Sequence, residues 1–449
     1  MAKEPVVIIG AGVAGLRLAC RLASQHNIVP LVVEASGRAG GRIQSVHLGG
    51  EFAYDAGAWR VPTQHRKTID LFRDAHEELL ASNVPAVISD DDIVRGLSGW
   101  DVKAMNCRNA LTADHMDLSS GLPGLAHSAC GSVGSDGTYL LPKNGFESIV
   151  KWLEHRCHIM YGTRVVDVRR SAAEYIIQCR CLNADGSFVN RTYASTAVFI
   201  CVPPHCAERW TIVSQWGRAQ THSVIPMPMN RVYALAHTDA DADAHARFQT
   251  KQSLLGQSIL PQQNGWFQPS YTSGRLARFW HNLERTSQAQ FQRLVVEETQ
   301  KQLRLQVRHD TIVSHFWECA FHMWRPNPSF HKARAVELAV MPNLRHLPNV
   351  YWCGEAFSSF QGWVEGALET ADMALEVFTR ARAYILPRCV ITHSQVSIEG
   401  RIVDVEAISS PQRERLRQCA GQDATDSFYH DLPSRDAWSR IFSLQTGVA

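Results

Sequence analysis

The sequence predicts an α/β fold with a parallel sheet, and three observations carry that prediction. Val6–Ile9 is a short run of β-branched residues, residues 13–24 place apolar side chains along one helical face, and residues 31–34 read as a second strand that ends on Glu34. Strand, helix and strand in that order make a β-α-β unit, whose two strands lie parallel.

Between the first strand and the helix stands Gly10-Ala11-Gly12-Val13-Ala14-Gly15, a G-x-G-x-x-G turn. In that register Gly10 permits the tight turn, Gly12 lets a pyrophosphate approach the backbone, and Gly15 lets the helix pack against the strand. Unpaired N–H groups and a partial positive charge at the helix start then face the phosphates. Glu34 ends the second strand about 20 residues further on, where a carboxylate binds ribose hydroxyls. A Rossmann-type dinucleotide site is therefore expected at Gly10, Gly12, Val13, Ala14, Gly15, Glu34 and Ala35. These residues alone do not separate FAD from NAD.

Further along, residues 62–80 read as one or two helices, with Ile69, Leu71, Phe72, Leu79 and Leu80 as apolar positions. Residues 119–137 are rich in Gly and Ser and read as a loop; residues 146–156 read as helix. Residues 163–169, 175–181 and 197–202 read as strands, the last stopped by Pro203-Pro204. Residues 287–305 form an amphipathic helix, 350–353 a buried strand and 364–379 a helix. The texture changes beyond Tyr384.

The chain has 449 residues, enough for two or three domains. Hydrophobic residues at 45% and charged residues at 20% are ordinary for a globular protein. A net charge of +2 provides no electrostatic case for nucleic acid or an anionic membrane as partner. The N-terminal apolar run stops at the glycines, so no signal peptide is expected. No stretch approaches the roughly 20 apolar residues that span a bilayer. Twelve cysteines are scattered without a C-x-x-C. Neither a disulfide framework nor a metal site is expected, which suits reduced cysteines in a cytoplasmic protein.

Gly37-Arg38-Ala39-Gly40-Gly41-Arg42 follows Glu34 and resembles the G-R-x-G-G-R segment of the flavin amine oxidase superfamily. The resemblance implies FAD, with Arg42 as a phosphate partner, a task that suits a guanidinium. Tyr351-Trp352-Cys353-Gly354-Glu355, followed by Gly362-Trp363-Val364-Glu365-Gly366-Ala367, resembles the family's second flavin segment. It implies Gly354, Glu355, Trp363 and Val364 at the cofactor, with the helix start beside the flavin ring. Val165 resembles the valine whose backbone meets the adenine. No cysteine falls where monoamine oxidases attach FAD covalently, so FAD is expected to be non-covalent.

Phe52-Ala53-Tyr54-Asp55-Ala56-Gly57-Ala58-Trp59-Arg60-Val61-Pro62, then Thr63-Gln64-His65-Arg66, is similar to a block of the L-amino acid oxidases. It implies Gly57, Ala58, Trp59 and Arg60 at the cofactor and Arg60 as the grip on the substrate carboxylate, a bidentate pairing. Arg60 also reads as a structural ion pair or a phosphate contact. Gly362 and Trp363 point to the same branch, with Trp363 as a pocket wall. Trp324 reads equally as a pocket wall or as a core aromatic at a strand end. In Pro228-Met229-Asn230-Arg231-Val232-Tyr233, Arg231 takes the place of the family's lysine near flavin N5. An arginine there is a poor proton donor.

Ser397-Ile398-Glu399-Gly400-Arg401-Ile402-Val403-Asp404-Val405 and Ala420-Gly421-Gln422-Asp423-Ala424-Thr425-Asp426-Ser427-Phe428 resemble cytochrome b5. The family's two haem histidines are replaced, by Ser410-Pro411-Gln412-Arg413 at the first place and by Pro433-Ser434-Arg435-Asp436-Ala437 at the second. His430 stands three residues early. Serine and proline cannot ligate haem iron, so a haem-free module is expected, serving a protein partner or oligomerisation.

The resulting expectation is a discontinuous Rossmann-type FAD-binding domain (1–60, 138–205, 335–383) interleaved with an α+β substrate domain (61–137, 206–334). A small α+β module (384–449) follows. The expected reaction is oxidative deamination of an L-amino acid to a 2-oxo acid, ammonia and hydrogen peroxide, with molecular oxygen as co-substrate. Arg60, Trp363 and Arg231 are its candidate catalytic residues. An amine or polyamine oxidase, an amino acid 2-monooxygenase and a flavin-holding scaffold stay open as alternatives.

Overall fold

The N-terminal β-α-β unit sits at the centre of a five-stranded parallel sheet. Its order is Val350–Trp352, Ala197–Ile200, Val6–Ile9, Leu31–Val33, Ile159–Met160. The computed structural model describes residues 5–82, 139–171, 174–216, 221–236, 254–259, 265–303, 305–324, 336, 340, 347–384, 395–398 and 401–404. The sheet draws its strands from widely separated stretches of chain. Strand order reverses at Val6–Ile9, which has the first crossover on one side and the return strand Ala197–Ile200 on the other. In open α/β sheets, ligands bind at the carboxyl end of that switch point.

Both faces of the sheet are covered, so its strands are apolar throughout. Val6, Ile8 and Phe199 pack with Leu16, Leu375 and Phe378, which belong to helices Val13–His26 and Val364–Tyr384. The alternate residues Val7, Ile9, Val198 and Ile200 pack with Tyr175, Ile177 and Cys179 of a three-stranded antiparallel sheet. The first helix stops at Asn27, whose φ of 53° lies in the left-handed region that closes helices.

A four-stranded antiparallel sheet runs Gln257–Ile259, Trp266–Ser273, Val224–Leu235, Val313–Trp324. Helices Gly274–Thr286 and Gln288–Leu303 cover it through Trp280, Phe291 and Val295. Residues 62–80 depart from the helical expectation. Only Arg66–Asp74 is helical, and Leu79–Ser82 is a strand paired with Tyr139–Pro142. The helix ends at Ala75, His76 adopts a φ of 56°, and the following backbone finds its hydrogen bonds on the Tyr139–Pro142 strand. That strand also pairs with Val61–Pro62, which sets Tyr139 beside the backbone that follows Arg60.

Among the described residues no helix is long and apolar enough to cross a membrane. Of the C-terminal segment, a hairpin of Gln395–Ile398 and Arg401–Asp404 is described. The expected haem-ligand positions at 410–413, 430 and 433–437, and the expected loop at 119–137, lie outside the described residues.

Candidate functional site

The three glycines of the turn divide the work as their geometry requires. A Cβ on Gly10, whose φ is +105°, would stand 2.9 Å from the Cys201 carbonyl oxygen, and one on Gly15 would stand 2.1 Å from the Gly10 oxygen. A Cβ on Gly12 would meet nothing within 4 Å, so this face is open. Gly12 caps the helix without a side-chain bond, and the first helical bond runs from Leu16 N–H to Gly12 O. Val13, Ala14 and Gly15 thus head the helix with N–H groups that precede that first bond.

Glu34 is placed against this turn. One carboxylate oxygen accepts from Ala11 N–H at 2.8 Å, and the other accepts from the N–H and Oγ of Ser36, each at 2.8 Å. Ala35 lies exposed beside it. Val165 sits on the strand Thr163–Ser171, next to the register shift opposite Cys179.

Arg42 joins the two distant flavin-like segments. Its Nη1 donates to Glu355 Oε1 at 2.5 Å and to the Ala320 carbonyl at 3.0 Å. Glu355 also accepts from His322 Nδ1 at 2.6 Å and from Gly362 N–H at 2.9 Å. Burial alone would raise the pKa of Glu355, but Arg42 and His322 hold it well below the usual carboxylate range. Gly57 packs against the Arg42 backbone, where a Cβ would stand 2.0 Å from Arg42 O, and Ala58 N–H donates to the same oxygen at 3.2 Å. Gly354 has a φ of +135° and an open Cβ direction.

Arg60 is 6% exposed and surrounded by rings. Its guanidinium carbon lies 4.8 Å from the Trp59 ring centre, 4.6 Å from that of Tyr139 and 5.8 Å from that of Trp363. Its Nη1 is buried without a hydrogen-bond partner, and among the described residues no carboxylate pairs with it. Burial lowers the pKa of Arg60, and Arg231 adds to that effect, while Tyr139 and Tyr271 oppose it.

Trp363 stacks on Tyr139 at 6.4 Å, and His65 meets its edge at 5.1 Å. His65 also touches Phe360, and burial pushes its pKa down to about 3, so the ring is neutral. Val364 opens the helix directly after Trp363, and Gly362 has a φ of +82°. Arg231 is buried on the strand Val224–Leu235. It donates to the carbonyls of Asp55 and Gly57 and lies 5.0 Å from the Tyr271 ring centre. Trp324 is 1% exposed and packs with Trp352 and Phe357 in the core.

Sequence reading passed over Tyr139, Tyr271 and a role for His65. Tyr139 gave no signal, because it reaches Arg60 only through the pairing of Val61–Pro62 with its strand. The structure also gathers His205, Cys319 and His322, although no C-x-x-C suggested a cluster.

Three comparisons bear on this arrangement. Residues 13–125 match the family model described as flavin containing amine oxidoreductase. The flavin-dependent L-tryptophan oxidase RebO of Lentzea aerocolonigenes is 32% identical over 121 residues, which is 26% of this chain and 25% of that protein. The chain thus matches about a quarter of the length of that curated relative. A solved structure from Exiguobacterium sp. 255-15, described as a protoporphyrinogen oxidase, superposes with a TM-score of 0.58 at 12% identity. It covers 84% of this chain and 99% of its own, which is a likeness of fold. Through residues 13–125, which hold Gly15, Glu34, Arg42 and Arg60, the chain is similar to the flavin containing amine oxidoreductases.

Proposed function

We propose that this protein is an FAD-dependent oxidase of L-amino acids, producing a 2-oxo acid, ammonia and hydrogen peroxide. The observation that carries this reading is the Arg60 guanidinium, buried among rings with an unpartnered Nη1. A buried charge without a partner costs several kcal/mol, roughly, unless an anion completes it. The planar carboxylate of an amino acid matches the guanidinium fork.

The open face of Gly12, the uncapped helix start and the Glu34 carboxylate fit a dinucleotide at the sheet's switch point. When bound there, FAD supplies the hydride acceptor for the α-carbon. The chain's own residues orient and shield. Arg60 holds the carboxylate, Tyr139 and Trp363 form walls beside it, and His65 fixes the edge of Trp363 without adding a charge. Arg231 holds the Gly57 backbone through its carbonyl. The relative's name specifies tryptophan, so aromatic amino acids head the substrate candidates.

An aerobic turnover screen over the common L-amino acids, their decarboxylated amines and polyamines tests the reading, with products identified by mass. Amino acids should give 2-oxo acids and peroxide. Turnover of amines alone would replace this reading with an amine oxidase, and an amide product would replace it with a monooxygenase.

A further inference from the structure

Pro203-Pro204 ends the strand Ala197–Ile200 and turns the chain into the short helix Pro204–Ala207, which carries His205; Cys319 and His322 lie near the end of the long strand Val313–Trp324. These two segments meet. One ligand atom each from His205, Cys319 and His322 all lie within 4.8 Å of one another. Cys319 Sγ is 3.4 Å from His322 Nε2, and Cys206 Sγ is 3.5 Å from His205 Nε2.

We propose that His205, Cys319 and His322 form a binding site for a borderline-soft transition-metal ion, with zinc(II) as the reference ion. The spacing fits. Zinc–sulfur and zinc–nitrogen bonds of about 2.3 and 2.05 Å at a tetrahedral angle set sulfur and nitrogen about 3.5 Å apart. The Cys319–His322 separation is that edge of the tetrahedron.

The orientation of His322 supports the same site. Its Nδ1 donates to Glu355 Oε1 at 2.6 Å, which turns Nε2 toward Cys319 Sγ. A carboxylate behind the imidazole is the arrangement that fixes a metal-bound histidine in its tautomer and raises its basicity. Glu355 is itself held by Arg42 and Gly362 N–H. The ligand set of two imidazoles and a thiolate selects zinc-like ions over calcium or magnesium, which require oxygen ligands.

Such an ion takes the Cys319 sulfur as thiolate and the two imidazoles as neutral ligands, so binding releases protons. The path of entry is short, because His205 and Cys206 are exposed while His322 is buried. The site does not depend on which amine is oxidised, but it hangs on the Glu355 carboxylate that joins the two flavin-like segments.

The full chain, stripped with chelator and dialysed, is loaded with zinc(II) and its metal content measured by mass spectrometry, then loaded with cobalt(II) and its spectrum recorded. One equivalent of zinc and a thiolate-to-cobalt charge-transfer band are expected. Cys319→Ser should abolish the band, and His205→Ala should weaken zinc binding at least tenfold with circular dichroism unchanged. Cys20→Ser should change neither. His205 is exposed, so its variant stays informative even where the buried His322→Ala fails to fold. Absence of the band in wild type, or uptake in Cys319→Ser and His205→Ala equal to wild type, would overturn the site.

Discussion

The guanidinium of Arg60 and the ring of Trp363 lie 5.8 Å apart, from opposite ends of the chain. Arg60 follows the Gly57-Ala58-Trp59 turn that packs on Arg42, and Trp363 precedes the helix Val364–Tyr384. Under the proposed function, their meeting sets a cation at the same wall as the flavin, and Arg60 is the residue that would select the substrate class. Arg60→Lys removes the planar fork and should not restore function. Loss of a buried charge-assisted pair costs about 2–5 kcal/mol, roughly a 30- to 4000-fold drop in kcat/KM for an amino acid. FAD content should stay near wild type. The checking measurement is the ratio of kcat/KM for an amino acid to that for its decarboxylated amine. If the variant keeps that ratio and loses FAD, Arg60 is a cofactor residue.

Glu34 holds the glycine turn from the neighbouring strand, accepting from Ala11 N–H. The purified protein should be yellow, and acid precipitation should release its flavin. Glu34→Ala removes charge-assisted hydrogen bonds worth about 1.5–3 kcal/mol, so FAD should bind roughly 10- to 150-fold more weakly. Equilibrium titration of the apoprotein with FAD measures this. An unchanged affinity would mean that Glu34 serves the turn alone.

Local signals were legible in the sequence where one segment carries the whole reason. Gly10, Gly12 and Gly15 act within one turn, and Glu34 ends the adjacent strand, so spacing alone located them. The Arg60 surroundings were half legible. Trp59 is a chain neighbour, but Tyr139 arrives through strand pairing that no periodicity announces. Leu79 and Leu80 were misplaced on a helix for the same reason, since their strand exists only because Tyr139–Pro142 pairs with it. His205, Cys319 and His322 were illegible, because two separate segments must meet before they form a cluster.

Arg42 is 29% exposed along its side chain, whereas its partner Glu355 is 6% exposed. Arg42→Ala leaves the Glu355 carboxylate buried with His322 as its remaining charged partner. Breaking a buried pair from one side costs about 3–5 kcal/mol, and the partial exposure of Arg42 points to the lower end. The double variant Arg42→Ala/Glu355→Gln should lose less than the sum of the two single changes, because the second removes the charge that the first stranded. Denaturant unfolding of all four proteins measures the coupling. Additive losses would show that the pair does not hold the two segments together.

Asp55 carries the last prediction, through the pH dependence of stability. Its side chain is buried, and burial raises its pKa to about 7 against the opposing pull of Ser45 Oγ, Phe146 N–H and Arg231. Ser45 Oγ donates to Oδ1 at 2.5 Å and Phe146 N–H at 3.1 Å. An unfolded aspartate titrates near 3.9, so between about pH 4 and 7 the folded state holds a proton that the unfolded state has lost. The contribution of Asp55 is therefore fully present below about pH 4 and is lost as pH rises through about 7. Its slope is up to about −1.4 kcal/mol per pH unit. His65 and His315 act in the opposite sense, since burial lowers them to about 3 and about 4 and acid protonates them more readily in the unfolded chain. The wild-type profile sums these effects, and comparison with Asp55→Asn isolates one of them. Asparagine keeps an acceptor for Ser45 and Phe146 but cannot ionise. The stability difference, variant minus wild type, should grow more positive from pH 4 to 7 and level off above. A difference that is flat across this range would show that Asp55 is ionised in the fold, held so by Arg231 and its two donors.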